Sequence, residues 1–179
     1  MHCSPTDVDV HLKDMDRTLT VINALEADGI IGKYAIGGAM GLIFYVEPTA
    51  TYDLDIFCHL PQAGLLIDLG PLFANLAKKG YQPTEGEHVK IEGIPVQFLT
   101  PPTDLVKEAL DTAVETKFAG VKTRVFQDEH LLAIMAETNR SKDKLRIAQA
   151  LESAEPDAVK LTDILEQHHL LDKWSRITA

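Results

Sequence analysis

The segment YAIGGAMGLIFYVEPTATYDLDIF, residues 34–57, joins a glycine pair to two closely spaced aspartates. A short apolar run ends at the glycine pair Gly37-Gly38, and a second apolar run carries Asp53 and Asp55 with one leucine between them. Successive side chains of a β-strand point to opposite faces, so the two aspartates share one face. Neighbouring carboxylates repel each other unless a cation compensates. The triplet is therefore either a strand end with two solvated carboxylates or a metal site.

The glycine pair lies between a predicted strand and a predicted short helix. Glycine lets the backbone adopt unusual conformations and lets a phosphate approach N–H groups, while a helix N-terminus favours an anion. Together with the aspartates, the glycine pair predicts that the turn binds a triphosphate. The strand with the aspartates would then bind Mg²⁺, which prefers oxygen ligands. One alternative is a tight turn with close packing. The other, a dinucleotide-binding fold, is disfavoured because the GxGxxG spacing is incomplete and no βαβ repeat follows.

The rest of the chain predicts a mixed α/β core followed by helices. Helices are predicted at 10–27, 39–46, 72–79, 101–115, from 128 onward, at 142–152 and at 156–167. Strands are predicted at 34–36, 52–59, 89–92, 94–99 and 121–126. His168-His169 is predicted to lie on a solvated helix face. We predict an α/β (α+β) fold with a mixed sheet and flanking helices, divided into a core at 1–126 and a C-terminal helical segment at 127–179 packed on it.

Composition and charge limit the classes of function. The chain has 179 residues and a net charge of −10, and its longest basic run is Lys78-Lys79, so long nucleic acids are disfavoured as partners. A nucleotide bound with a divalent cation remains compatible, because the metal supplies positive charge. No apolar run approaches the roughly 20 residues of a membrane span, and the start lacks a signal peptide. The two cysteines, Cys3 and Cys58, form no disulfide framework, which predicts a cytoplasmic protein.

A family resemblance rests on the order of these motifs. A strand, Gly-Gly, a short helix and a strand with Thr-x-Asp-x-Asp, here TYDLD at 51–55, resemble the nucleotidyltransferase fold of the DNA polymerase β superfamily. The resemblance is greatest to small bacterial nucleotidyltransferase-like proteins that include toxins of abortive-infection systems. GIPVQFLTPP at 93–102 is similar to the family's hairpin strand, and EHLLAIMAETNRSKDKLRI at 129–147 to its late helix pair. The matches cover roughly residues 30–150 and predict the same fold here.

The resemblance also implies an activity and a set of residues for it. Such enzymes transfer a nucleotidyl group from a nucleoside triphosphate to a hydroxyl, with metal ions neutralising the phosphates. Asp53 and Asp55 would bind Mg²⁺. The nucleotide would be held by residues in the glycine pair, the strand and the late helices, namely Gly37, Gly38, Thr51, Arg140 and Lys142.

Some positions depart from the family's pattern. The third catalytic carboxylate is expected in IPVQFL, where Gln97 stands, and Glu92 across the turn is a candidate substitute. Thr49, Met135 and Arg146 replace an Arg, a Lys and an Asp that relatives often carry. A glutamine brings no charge and is a poor base. The departures therefore leave a second hypothesis, a degenerate protein that binds a nucleotide or a partner protein without turnover.

Overall fold

A six-stranded mixed β-sheet forms the centre of the chain. The computed structural model describes residues 14–46, 51, 53–60, 62–63, 66–84 and 88–179. Eight strands lie in these residues: β1 Tyr34–Ile36, β2 Leu54–Cys58, β3 Gln62–Ala63, β4 Leu66–Ile67, β5 His88–Ile91, β6 Ile94–Leu99, β7 Val114–Phe118 and β8 Val121–Val125. Eight helices lie in the same residues: α1 Met15–Ala27, α2 Gly38–Leu42, α3 Gly70–Lys78, α4 Asp104–Asp111, α5 Asp128–Thr138, α6 Ser141–Ser153, α7 Ala158–Gln167 and α8 Leu171–Thr178.

The sheet combines parallel and antiparallel pairs. Its strand order is β5-β6-β2-β1-β8-β7, and β3 pairs with β4 in a separate two-stranded sheet. Strands β1 and β2 are antiparallel, whereas β2–β6 and β1–β8 are parallel. Antiparallel hairpins, β5–β6 and β7–β8, form the two edges. The predicted mixed sheet with flanking helices is confirmed.

Apolar side chains cover both faces of the sheet. In β2, Leu54 and Ile56 are fully buried on one face, and Asp55 and Phe57 alternate with them and point to the other. The first face packs against buried residues of α1 and α3. The second face packs against α4, α5, α6 and α7. A three-layer arrangement results, in which each buried aliphatic side chain contributes about 1.5–3 kcal/mol to stability.

Two predicted helices end earlier than the sequence indicates. The helix predicted at 39–46 is α2 and ends at Leu42, after which the chain tightens into turns, with the N–H of Tyr45 donating to the carbonyl of Leu42 at 3.0 Å. The helix predicted to reach residue 115 ends at Asp111, and Glu115 lies in β7. The sequence does not predict β7, because this edge strand is largely exposed and lacks an alternating apolar pattern.

The prediction that the histidine pair lies on a helix face is wrong. His168 ends α7, and His169 adopts a left-handed φ of 57°. The N–H of Leu170 then donates to the carbonyl of Leu165 at 2.7 Å, which is the bond of a Schellman helix end. Helix α8 begins immediately afterwards, and its Trp174 is partly buried against the second-face core.

Polar contacts attach the C-terminal helices to the second face. Lys160 of α7 forms an ion pair with Glu129 of α5 at 2.7 Å. Both His130 of α5 and His168 lie within hydrogen-bonding distance of Glu108 of α4, at 3.2 and 2.9 Å. Helices α5 and α7 therefore lie in one layer with α4. The division of the chain into a core and a C-terminal helical segment stays a prediction.

Cys58 of β2 is a core residue. It is fully buried, and this burial raises the pKa of its thiol to about 12. Cys3 and positions 10–13 of the first predicted helix lie outside the described residues. None of the helices in the described part of the chain combines the length and the apolar character that crossing a bilayer requires.

Candidate active site

Gly38 at the start of α2 lies directly against the carboxylate of Asp55. Its φ is +58°, and a Cβ at this position would lie 1.9 Å from Oδ2 of Asp55. The preceding residue, Gly37, donates its N–H to the carbonyl of Asp55 at 3.0 Å, and a Cβ there would lie 2.6 Å from the ring of Phe57. Gly37 therefore serves close packing, as in the tight-turn alternative, whereas Gly38 makes room for the carboxylate.

The two aspartates occupy different environments. Asp53 precedes β2 with 53 % of its side chain exposed, and Asp55 lies deeper in the strand. Burial and the neighbouring charge of Asp53 raise the pKa of Asp55, although Arg140, His88 and Lys142 act in the opposite direction. A carboxylate in such surroundings gains more from a bound cation than a solvated one does. The alternative of two solvated carboxylates therefore does not describe Asp55.

Three polar side chains lie in one row across the sheet. Asp55 of β2 pairs with Gln97 of β6, and Gln97 pairs with His88 of β5. Paired residues on neighbouring strands project from the same face, so all three share the face of Asp53. Nε2 of His88 lies 4.0 Å from Oδ2 of Asp53. The register thus places Gln97 directly opposite Asp55, while its role as the counterpart of a third carboxylate stays a prediction.

A small cavity of about 130 Å³ lies between this sheet face and the helix pair α5–α6. The sheet side and α2 contribute Gly38, Ala39, Thr51, Asp53, Asp55 and Gln97. The helix side contributes Leu131, Ile134, Met135, Thr138, Arg140, Lys142, Asp143 and Arg146. The structure thus brings together all of the predicted site residues except Gly37, which caps α2 beside the cavity. The volume suits an ion with part of a phosphate chain, because whole-ligand pockets measure roughly 300–1,000 Å³.

The buried carboxylate of Asp143 organises the helix side of the cavity. It accepts a hydrogen bond from Thr138 at 2.8 Å and one from Nε of Arg140 at 2.6 Å, and Arg146 lies 3.5 Å away. Burial alone would raise the pKa of Asp143, but these hydrogen bonds and the two guanidinium charges outweigh it and hold the pKa below its ordinary value. Asp143 therefore fixes two arginines at the cavity wall.

Arg140 and Lys142, the two residues predicted to contact the phosphates, differ in their ion pairing. Arg140 is bound to Asp143, although 58 % of its side chain is exposed. Lys142 is exposed and lines the cavity, and within the described ranges it forms no ion pair. A phosphate that enters the cavity would therefore reach the ammonium group of Lys142 without breaking an ion pair.

Glu92 does not substitute for the third carboxylate. It lies at the β5–β6 turn with a φ of 48°, accepts a hydrogen bond from Tyr81 at 2.5 Å and pairs with Arg17 at 2.6 Å. Arg17 belongs to α1, on the first face of the sheet, and Glu92 does not line the cavity. Thr49, where relatives often carry an arginine, lies outside the described residues.

The residues present fit a divalent cation held by the two aspartates. Carboxylate oxygens are the ligands that hard cations prefer, and Gly38 leaves space at Asp55 that a Cβ would fill. Among the residues that the structure describes, no group of three or more His, Cys, Asp or Glu side chains could hold a metal ion, so the two aspartates would be the only such ligands here. An ion at Asp53 and Asp55 would thus keep coordination positions open for a ligand or water.

His88 is the functional candidate that the sequence analysis missed. Its position follows from the hairpin, because a two-residue turn at Glu92-Gly93 sets the register that pairs His88 with Gln97. The predicted strands at 89–92 and 94–99 leave only Gly93 between them and would pair Gln97 with Val89, so only the observed two-residue turn identifies the histidine.

Comparisons with known proteins support the fold. No family model and no curated protein matches the sequence. The crystal structure of an antigenic nucleotidyltransferase-like protein from Paracoccidioides brasiliensis is similar, with a TM-score of 0.58 and 16 % identity over 94 % of this chain and 93 % of that one. The solution structure of the antibiotic-resistance factor ANT(2'')-Ia is also similar, with a TM-score of 0.53 and 16 % identity over 88 % of this chain and 97 % of that one.

Both similarities extend over nearly the whole chain, well beyond the stretch at 34–57. They agree with the six-stranded mixed sheet and its flanking helices. The fold predicted from the resemblance is confirmed: this chain has a nucleotidyltransferase-like fold.

Proposed function

We propose that this chain binds a nucleoside triphosphate with a divalent cation, predicted as Mg²⁺, and transfers a nucleotidyl group to a hydroxyl acceptor. The observation that carries the proposal is the carboxylate of Asp55, which is half-buried beside Asp53 and lies against Gly38 in a cavity whose opposite wall carries Arg140, Lys142 and Arg146. The similarity to a nucleotidyltransferase-like protein supports it.

Each wall of the cavity would have its own task. Asp53 and Asp55 would hold the cation, which supplies charge neutralisation of the phosphates when bound. Lys142, and Arg140 while it remains bound to Asp143, would orient the phosphate chain from the helix side. The acceptor oxygen would attack the α-phosphorus, and the bond to the pyrophosphate leaving group would break. Positioning by these fixed side chains would account for most of the acceleration.

A second candidate function is nucleotide or partner-protein binding without turnover. Gln97 favours it, because the residue opposite Asp55 offers an amide where a carboxylate would activate the acceptor hydroxyl. A role like that of abortive-infection toxins also stays a prediction, as does the identity of the acceptor.

Isothermal titration of the protein with ATP, GTP, CTP and UTP, with and without Mg²⁺, tests the proposed site. We expect cation-dependent binding of at least one nucleotide, and its loss in Asp53→Asn, because the variant removes a cation ligand and its charge. Asp163→Asn, an exposed carboxylate on α7, is the matched control and should bind like the wild type. Measuring pyrophosphate release in the presence of candidate acceptors then distinguishes an enzyme from a protein that binds the nucleotide without turnover. Equal binding by Asp53→Asn would place the nucleotide elsewhere.

Gln97→Asp tests whether the missing carboxylate limits turnover. Because residue 97 pairs with Asp55, the variant places a third carboxylate in the row. General-base groups contribute about 10²–10⁴-fold to rates, so we expect pyrophosphate release to rise at least tenfold. Gln62→Asp, on β3 of the separate sheet, controls for added charge. An unchanged rate with intact nucleotide binding would show that residue 97 does not limit the reaction.

A further inference from the structure

We propose that two copies of this chain pair through β7, the exposed edge strand of the sheet, in an antiparallel dimer whose two-fold axis passes beside Thr116. The inference does not depend on the proposed function, because β7 lies three strands away from β2 and none of its residues lines the candidate active site. It follows from the free backbone groups of this edge and from a charge pattern that complements itself in one register.

The two edges of the sheet differ in their partners. Beside β5, Pro83 forms a bridge with Val89, and the N–H of Thr84 donates to the carbonyl of His88 at 2.9 Å. Beside β7, no backbone group of the described residues pairs with the outer side of the strand. A row of unpaired N–H and C=O groups is a template on which another strand can pair. In the described part of the chain, β7 is therefore the edge that is open to a second strand.

The hairpin turn fixes which groups of β7 face outward. Residues 119–120 form a two-residue turn with φ values of 46° and 86°, as in a type I′ turn. The flanking pair Phe118 and Val121 is therefore hydrogen-bonded, and pairs alternate between bonded and non-bonded along an antiparallel ladder. The N–H and C=O groups of Glu115 and Lys117 consequently point to the open edge.

Charge and length select the same register for a second copy. Outward-facing residues have to pair with each other, so an axis beside Glu115 or Lys117 would place two like charges opposite each other, which destabilises a strand pair. An axis beside Thr116 instead places Glu115 of each copy opposite Lys117 of the other. It also pairs all five residues of the strand. A contact in which the same patch serves both copies is the usual form of a two-fold dimer.

This register also compensates a repulsion within the hairpin. Lys117 pairs with Lys122 of β8, so two like charges lie opposite each other. Glu115 pairs with Arg124, whose Nε lies 3.9 Å from Oε1, and 85 % of the Glu115 side chain remains exposed. In the dimer each Lys117 gains a carboxylate on its outer side, and each row reads Arg, Glu, Lys, Lys across the two hairpins.

Apolar pairs flank these charges. The register places Val114, which is 39 % exposed, opposite Phe118 of the other copy, and such β-branched and aromatic pairs stabilise a sheet. A strand pair of five residues is a small interface. We therefore expect a weak dimer whose population rises with protein concentration.

Two charge reversals and their mixture test the register. Glu115→Lys and Lys117→Glu each place like charges in both symmetry-related pairs, so we expect each variant to dimerise at least about tenfold more weakly than the wild type. In an equimolar mixture one copy carries two lysines and the other two glutamates, so every pair is complementary and the dimer should return. Sedimentation velocity over a range of concentrations measures these states. Lys90→Glu, an exposed lysine on the other edge strand, is the matched control and should dimerise like the wild type.

A cysteine at the axis gives a second readout. In a Cys3→Ser background, Thr116→Cys would join two cysteines in a non-hydrogen-bonded pair with Cα atoms about 4.5 Å apart, which suits a disulfide. We expect this variant to form a covalent dimer on mild oxidation. Val114→Cys should not, because its counterpart lies four positions away in the register, or roughly 14 Å.

The remaining outcomes would overturn the proposal. A wild type that stays monomeric at every concentration would do so and would leave the edge to a different protein partner. Wild-type dimerisation by both charge-reversal variants would do so too, as would folded variants that fail to associate when mixed. Cross-linking of Val114→Cys as readily as of Thr116→Cys would exclude the register. None of these results would alter nucleotide binding at Asp53 and Asp55, so the proposed function is tested separately.

Discussion

Gly38→Ala is expected to abolish cation-dependent nucleotide binding and to destabilise the protein. The new Cβ would lie 1.9 Å from Oδ2 of Asp55, so the carboxylate has to leave the position in which it faces the cavity. The φ of +58° adds strain for any residue with a Cβ, about 1–2 kcal/mol. Titration with nucleotide and Mn²⁺ or Mg²⁺, together with thermal unfolding, measures the two effects.

Gly29→Ala separates the clash from the backbone strain. Gly29 ends α1 with a φ of +69°, and a Cβ there would meet no atom within 4 Å. This control should therefore lose about the same 1–2 kcal/mol of stability and keep its nucleotide binding. Binding by Gly38→Ala at the wild-type level would show that the carboxylate of Asp55 is not needed where the structure places it.

Asp55→Asn is expected to stabilise the protein while it removes cation binding. Burial and the charge of Asp53 raise the pKa of Asp55, which means that the folded state disfavours the ionised form. An amide of nearly the same shape removes that charge. We expect an increase of about 1 kcal/mol in the free energy of unfolding at pH 7, or about 2–4 °C in Tm for a chain of this size.

The pH dependence of this gain has a definite sign. A folded pKa above the unfolded value means that the folded state binds the proton more tightly, so stability is full below the unfolded pKa and falls as pH rises through the folded pKa. The higher free energy of unfolding of Asp55→Asn should therefore be present at pH 7 and vanish below about pH 4. At that pH the carboxyl group of Asp55 in the wild type is protonated and as neutral as the amide of the variant. Thermal unfolding of wild type and variant across this range measures it, with Asp163→Asn as the control. A wild type that is more stable than Asp55→Asn at pH 7 would contradict the prediction.

The sequence predicts the glycine turn and the aspartate strand because their signals are local. A glycine pair after an apolar run and an alternation of Asp with apolar residues act over a few positions, and β1, α2 and β2 form where these signals lie. The family resemblance singled out Gln97, and the register of β6 against β2 pairs this residue with Asp55. The catalytic and binding roles of the site residues stay predictions.

Other parts of the fold depend on contacts between distant segments. The pairing of Glu92 with Arg17 joins residues 75 positions apart, from α1 to a hairpin turn, and no local pattern predicts it. Strand β7 is held at the sheet edge by β8, and its exposed side chains carry no apolar periodicity. The break at His169 depends on a left-handed residue that is not glycine, for which the sequence offers no usual signal.

The contact between Gly38 and Asp55 also has an evolutionary consequence. Because the side chain at one position occupies the space that a side chain at the other would need, substitutions at the two positions cannot be accepted independently. A descendant that first replaced Asp55 with a small residue would free position 38 from the clash, and only the strain of its φ would still favour glycine there. In a descendant that first acquired a larger residue at position 38, the new side chain would displace the carboxylate of Asp55 in a single step. The order in which such changes accumulate would therefore record whether a lineage lost the Asp55 carboxylate before or after it lost the glycine.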